Sequence, residues 1–142
     1  MEDLIRRVYE EAKALGACNL LTGNERTIEE LVGLLRSPQG YEFCTTHSFP
    51  NLETWREFKK CGMETFGVYI DAGKVVVANP TFAVFVGATK AIVTCDTLEL
   101  HEVLLLQGAS SVINASDWAV CSVHAENGCS YMYNISDNAI AL

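Results

Sequence analysis

Gly87, Gly108 and Gly128 recur at steps of 21 and 20 residues, and Asp96, Asp117 and Asp137 recur at the same two steps. Each glycine precedes its aspartate by nine residues. A unit of this length with a constant internal offset is a structural repeat, one that buries its apolar face only by stacking on its neighbours. On the glycine register, small residues coincide at Ala88, Ala109 and Cys129. Apolar residues coincide at Ala91, Val112 and Met132, then at Ile92, Ile113 and Tyr133. Small residues also precede the aspartates, at Cys95, Ser116 and Ser136. Upstream, Phe82, Val103 and Val123 align, as do Val84, Leu105 and Ala125. Two strands and two turns per unit predict one coil of a β-solenoid, with like residues stacked in parallel and Val112 and Met132 facing the interior. Duplicated antiparallel hairpins have the same period, so a barrel or sandwich is the alternative.

Before the repeat the apolar spacing is helical. Leu4, Ile5, Val8 and Ala12 form one stripe. Thr27 with Glu30 makes a capping box ahead of Ile28, Leu31, Val32 and Leu35. Ser37-Pro38 opens a third helix, with proline at the first helical position. Asn51 caps a fourth, which carries Leu52, Trp55 and Phe58 and has Lys59-Lys60 at its end. Near Gly62 the period changes: residues 66–70 and 74–77 read as two strands joined by a tight turn at Asp71-Ala72-Gly73. The expected class is therefore α+β. About four short helices, in a region 1–62, pack on a β-rich region 63–142 with ~20-residue coils, and the helices are placed to cap one end of the stack.

From about residue 75 to residue 142, period and punctuation resemble those of β-helix proteins. The resemblance implies a fold and no activity. No six-residue apolar repeat of the acyltransferase type runs through the segment, and the Gly- and Asp-dense calcium nonapeptide is absent.

Charge narrows the function classes. The chain carries a net charge of −8, and residues 67–142 hold only Lys74 and Lys90 against seven acids. Such a balance repels phosphate backbones, so no nucleic-acid partner is expected. An acidic face suits a basic protein partner. No apolar run reaches membrane-spanning length, and Met1-Glu2-Asp3-Leu4 has no basic start followed by an apolar run. The expected location is the cytoplasm, with Cys18, Cys44, Cys61, Cys95, Cys121 and Cys129 as reduced thiols.

Chemistry-bearing residues are sparse. Two Cys-x-x-His pairs occur, Cys44/His47 and Cys121/His124. On a helix the first pair shares a face, with Cys61 as a third candidate ligand; on a strand the second pair points to opposite faces. No fourth ligand is evident for either, so no metal or cofactor is expected. His101 and His124 lie 23 residues apart, near one period, and are placed to meet across neighbouring coils. The Thr22-Gly23-Asn24-Glu25 stretch reads as a turn, and Asp96, Asp117 and Asp137 as a column of turn caps. No phosphate loop, zinc-protease or nucleophile-elbow motif is present, so no residue is assigned a catalytic role.

What remains is surface. Trp118 follows Asp117 at a turn, Tyr131 and Tyr133 flank Met132, and Ile140 and Leu142 make the last segment apolar. Aromatic and apolar residues of this kind mark interface cores. The expected function is a non-catalytic interaction module, a homo-oligomer that presents its acidic surface to a protein partner, as inhibitors, antitoxins and accessory factors of mobile elements do. The alternative is a small Cys/His-dependent enzyme with its site between the helical and β halves.

Overall fold

The structure, a computed structural model, describes residues 2–16 and 27–142. Cys18 and the Thr22–Glu25 turn lie outside the described residues. Among the described residues, four helices come first: α1 (Glu2–Ala14), α2 (Ile28–Leu35), α3 (Pro38–His47) and α4 (Leu52–Lys59). Their starts follow from local chemistry. The Thr27, Ser37 and Asn51 side chains accept hydrogen bonds from the amides of Glu30, Gly40 and Thr54, satisfying donors that the helix itself leaves free. The Glu30 carboxylate also accepts from the Thr27 hydroxyl at 3.0 Å. No helix among the described residues is long and apolar enough to cross a membrane.

A 3₁₀ turn (Met63–Phe66) leads into nine strands: β1 (Val68–Ile70), β2 (Gly73–Ala78), β3 (Phe82–Val86), β4 (Thr89–Cys95), β5 (Leu100–Leu106), β6 (Ser110–Ala115), β7 (Val120–Ala125), β8 (Ser130–Ile135) and β9 (Ile140–Ala141). They form two sheets. The first has order β1-β3-β5-β7-β9 and the second β2-β4-β6-β8, and every pairing is parallel. Alternate strands thus enter alternate sheets, and the chain winds through about four coils of a β-solenoid.

The coil starts earlier than the repeat does. Val68 stands beside Val84, and Gly73 beside Thr89, so the first step is 16 residues rather than 20. The β1–β2 connection is accordingly a corner between two sheets and not the hairpin turn that its residues suggest. Asp71 makes that corner, with φ 46°. Its carboxylate accepts from the Ala88 amide of the next coil at 2.8 Å and from Arg56 of α4 at 2.7 Å. Burial raises the Asp71 pKa, but the Ala88 amide and the Arg56 guanidinium together outweigh it and hold the carboxyl below its ordinary value. Gly87 lies against this carboxylate: φ is 68°, and a Cβ there would sit 2.3 Å from Asp71 Oδ1.

Later steps are uniformly 20: Ile92–Val112–Met132 in the second sheet and Ala83–Val103–Val123 in the first. The glycine register, with its first step of 21, slips by one residue there. Gly87 is equivalent to Gln107, which adopts φ 56° itself, and not to Gly108. A one-residue slip exchanges the two faces of a strand. Interior positions are Val93, Ile113 and Tyr133, whereas Met132 is exposed and Val112 half-buried, on the outer face. The aspartate column is corrected likewise. The Asp117 amide donates to the Asp137 carboxylate at 3.2 Å, and both residues have φ 55°. Asp96 is in register with neither and pairs with Asn79 of the preceding coil.

Two apolar clusters result. One fills the coil interior with Ala83, Phe85, Val93, Val103, Leu105, Ile113 and Cys121. The other lies between the helices and the outer face of the first sheet, where Val68, Val84, Val86, Leu104 and Leu106 meet Val8, Val32, Trp55 and Phe58. The helices therefore cover a flank of the solenoid and do not plug its end. Glu126 fastens this layer: buried at the β7–β8 corner, it accepts from the Ser48 hydroxyl at 2.8 Å and from the Gln107 amide at 3.1 Å. Gln107 in turn donates from its side chain to the carbonyls of Ser48 and Pro50.

Candidate interaction surface

Corner and strand geometry place the surface residues read from the sequence. Trp118 occupies the tight turn between β6 and β7, held open by the left-handed Asp117, and is 61% exposed. A 20-residue step puts Leu98, 78% exposed, at the equivalent place one coil earlier. Leu100, Val120 and Ile140 stand in register on the outer side of β5, β7 and β9. Leu100, Ile140 and the adjoining Leu142 are exposed. Leu98 and Leu100, which join Trp118, Ile140 and Leu142 in this apolar strip, carried no signal in the sequence beyond an apolar residue beside a bend.

Tyr131 and Tyr133 belong to a different surface. Their rings meet edge to face at 5.7 Å, and they lie on the interior side of β8, since Tyr133 packs against the coil core. Tyr133 is half-buried, and burial pushes its phenol up to about 12. Tyr131 is exposed at the mouth of the coil. Met132, not the tyrosines, faces outward.

The cysteines and histidines do not converge. Cys44 sits in the helical core, where burial and, secondarily, the Glu126 charge push its thiol up to about 12. His47 packs on Phe43. Cys121 faces the interior beside Cys95, whose thiol burial also raises to about 12. His124 lies on the opposite face, stacked on Tyr41 of α3 at 3.8 Å. His101 is in register with Cys121, and His124 with Leu104, so the two histidines do not meet. His101 is fully buried, its Nδ1 within 2.8 Å of the Pro80 carbonyl and its Nε2 within 3.2 Å of the Thr97 hydroxyl. Among the described residues no three His, Cys, Asp or Glu side chains are grouped as metal ligands.

One constellation was not foreseen. Glu102 and Ser122 are in register on β5 and β7, and His124 follows two residues on, so all three share the outer face of the first sheet. His124 Nε2 lies 3.5 Å from the Ser122 hydroxyl and 3.7 Å from Glu102. A relay needs one ring nitrogen for the nucleophile and the other for the orienting acid. Here both partners address the same nitrogen, at distances beyond a good hydrogen bond. The parallel register of β5 and β7, at the 20-residue step, brings them together.

No protein-family model, curated protein or solved structure matches the chain.

The remaining exposed apolar group lies on the second sheet. Val76, Ile92, Val112 and Met132 stand in register across all four of its strands, and Val76 and Met132 are 74% and 59% exposed. These side chains resemble core residues in the sequence, because β-branched residues are favoured on either face of a strand.

Proposed function

We propose that the chain is a non-catalytic protein-interaction module that self-associates through its apolar strip and turns its acidic corners toward a protein partner. The supporting observation is the strip itself: Leu98, Leu100, Trp118, Ile140 and Leu142 are all exposed on neighbouring coils. Contiguous exposed apolar surface with an aromatic centre favours association. An open strand edge strengthens the case. Strand β8 is outermost in its sheet, with one side unpaired among the described residues. Such an edge accepts a further strand. The electrostatics agree, because Asp96, Asp117 and Asp137 are exposed at coil corners.

The rival reading, a Cys/His enzyme at the seam between the halves, has less support. Thiols at Cys44, Cys95, Cys121 and Cys129 are all held protonated by burial, and a protonated thiol is a poor nucleophile. Light scattering of the purified protein at micromolar concentration tests the proposal. The expected result is a dimer or larger species that Trp118→Glu with Ile140→Lys converts to monomer. A monomer of 15.6 kDa at all concentrations, or one thiol that alkylates rapidly at neutral pH, contradicts it.

A further inference from the structure

We propose that the bare outer face of the second sheet is the docking surface for a short acidic amphipathic helix of a partner protein. This rests on reading the chain as an interaction module, but uses a different surface from the self-association strip.

All-parallel sheets are ordinarily covered on both faces. Over β1, β3 and the second half of β5 the first sheet obeys this rule through the chain's own helices. The second is filled on its interior face only. Its outer positions form three columns along the solenoid axis: Lys74-Lys90-Ser110-Ser130, Val76-Ile92-Val112-Met132 and Ala78-Thr94-Asn114-Asn134. The middle column is apolar over all four strands. A shallow groove follows its border with the lysine column, lined by Lys74, Lys90, Ile92, Ser110, Val112 and Met132.

The charge of this face is opposite to that of the molecule. None of the seven acids after residue 66 lies on β2, β4, β6 or β8; they sit at corners or on the first sheet. Lys74 and Lys90, the only cations in that region, stand in register on adjacent strands. Neither is in an ion pair among the described residues. Like charges directly opposite in a sheet repel. Two carboxylates laid beside them would relieve that repulsion.

Size and spacing select the occupant. Four strands of six or seven residues present a face about 20 Å by about 19 Å. That is on the order of 400 Å², half of what each partner contributes to an ordinary stable protein interface. It is too little to hold a second copy of a chain with charge −8, but it suits one helix of about ten to twelve residues. The helical turn of about 5.4 Å is close to the strand spacing of about 4.8 Å, so one helical face meets successive strands. Apolar residues at i, i+4 and i+7 would follow the middle column. Two acids one turn apart would reach Lys74 and Lys90.

A displayed library of random 14-residue peptides, selected on the folded protein and counter-selected on Ile92→Glu/Val112→Glu, tests this. Both substituted residues lie on the outer face, and circular dichroism checks that the variant is folded. The expected winners have an apolar i, i+4, i+7 stripe flanked by two Asp or Glu one turn apart. A labelled winner should bind Lys74→Glu/Lys90→Glu at least about tenfold more weakly than the parent, with binding that falls as salt rises. Winners without acids, binding indifferent to the lysine reversal, or no enrichment would each overturn the proposal. So would a dimer that Ile92→Glu/Val112→Glu dissociates, which assigns the face to a second copy. Scattering of Trp118→Glu/Ile140→Lys reads the self-association strip separately, so the two proposals fail independently.

Discussion

Strands β3 and β4 belong to one coil and have opposite surroundings. Phe82–Val86 is buried at every position, whereas Thr89–Cys95 alternates, with Lys90 and Ile92 outward. The difference extends through their sheets. In the first, side chains of β1, β3 and the second half of β5 are packed on both faces, inward against the coil core and outward against α1–α4. In the second, only the inward set is packed. A strand that is apolar throughout needs two partners, and this chain supplies the second from its own N-terminal helices. A strand that alternates needs one. The helices thus act as a third layer, placed where the sequence is apolar on both faces.

Substitutions that break this contrast have graded effects. The largest is expected at the coil interior. Ile113 is fully buried, so Ile113→Asp places an unpaired charge there and should cost several kcal/mol, enough to unfold the β-half in urea titrations. Next comes the shared face of the first sheet, where Leu104 is fully buried against the helices. Leu104→Ala should lose about 2–5 kcal/mol. Its counterpart Ile92→Ala, on the bare face, should lose less than about 1 kcal/mol.

The seam between helices and coil is intermediate. Asp71→Asn removes the charge that binds Arg56 and the Ala88 amide, and should cost about 1–2 kcal/mol at pH 7. The folded-state pKa of Asp71 lies below its unfolded value. Its contribution is therefore complete above the ordinary carboxylate pKa of about 4 and fades as pH falls through the folded value. Parent and variant stabilities should converge toward pH 3; a gap that widens on acidification contradicts the assignment. The smallest effect is expected at Val112→Asp, on the outer face, within about 1 kcal/mol of the parent. Equal losses at residues 112 and 113 would erase the distinction between the two faces of the second sheet.

Much of the fold was legible because its signals are local. Thr27, Ser37 and Asn51 announce their helices through short-range hydrogen bonds, and the 20-residue period announces the coil. The register was not legible. Glycine marks a left-handed corner, but Gln107 adopts that conformation as well, so Gly87 and Gly108 are not equivalent. The first coil carries no 20-residue signal because its β2–β3 corner is four residues shorter than the β4–β5 corner, giving a step of 16. The surface residues divide in the same manner. Trp118, Ile140 and Leu142 are exposed as turn and edge residues should be. Tyr131 and Tyr133 lie on the interior side of β8, yet Tyr131 is exposed at the mouth of the coil. The apolar column Val76–Met132 was hidden because alternation in a valine-rich strand does not say which face is covered.

The register is the central claim, and nuclear magnetic resonance tests it most directly. Interstrand proton contacts in the β-half should link Val93 with Ile113 and Ile113 with Tyr133, in parallel, at a constant offset of 20 residues. Contacts of Ala91 with Val112 at an offset of 21, or an antiparallel pattern between segments 110–115 and 130–135, would contradict it.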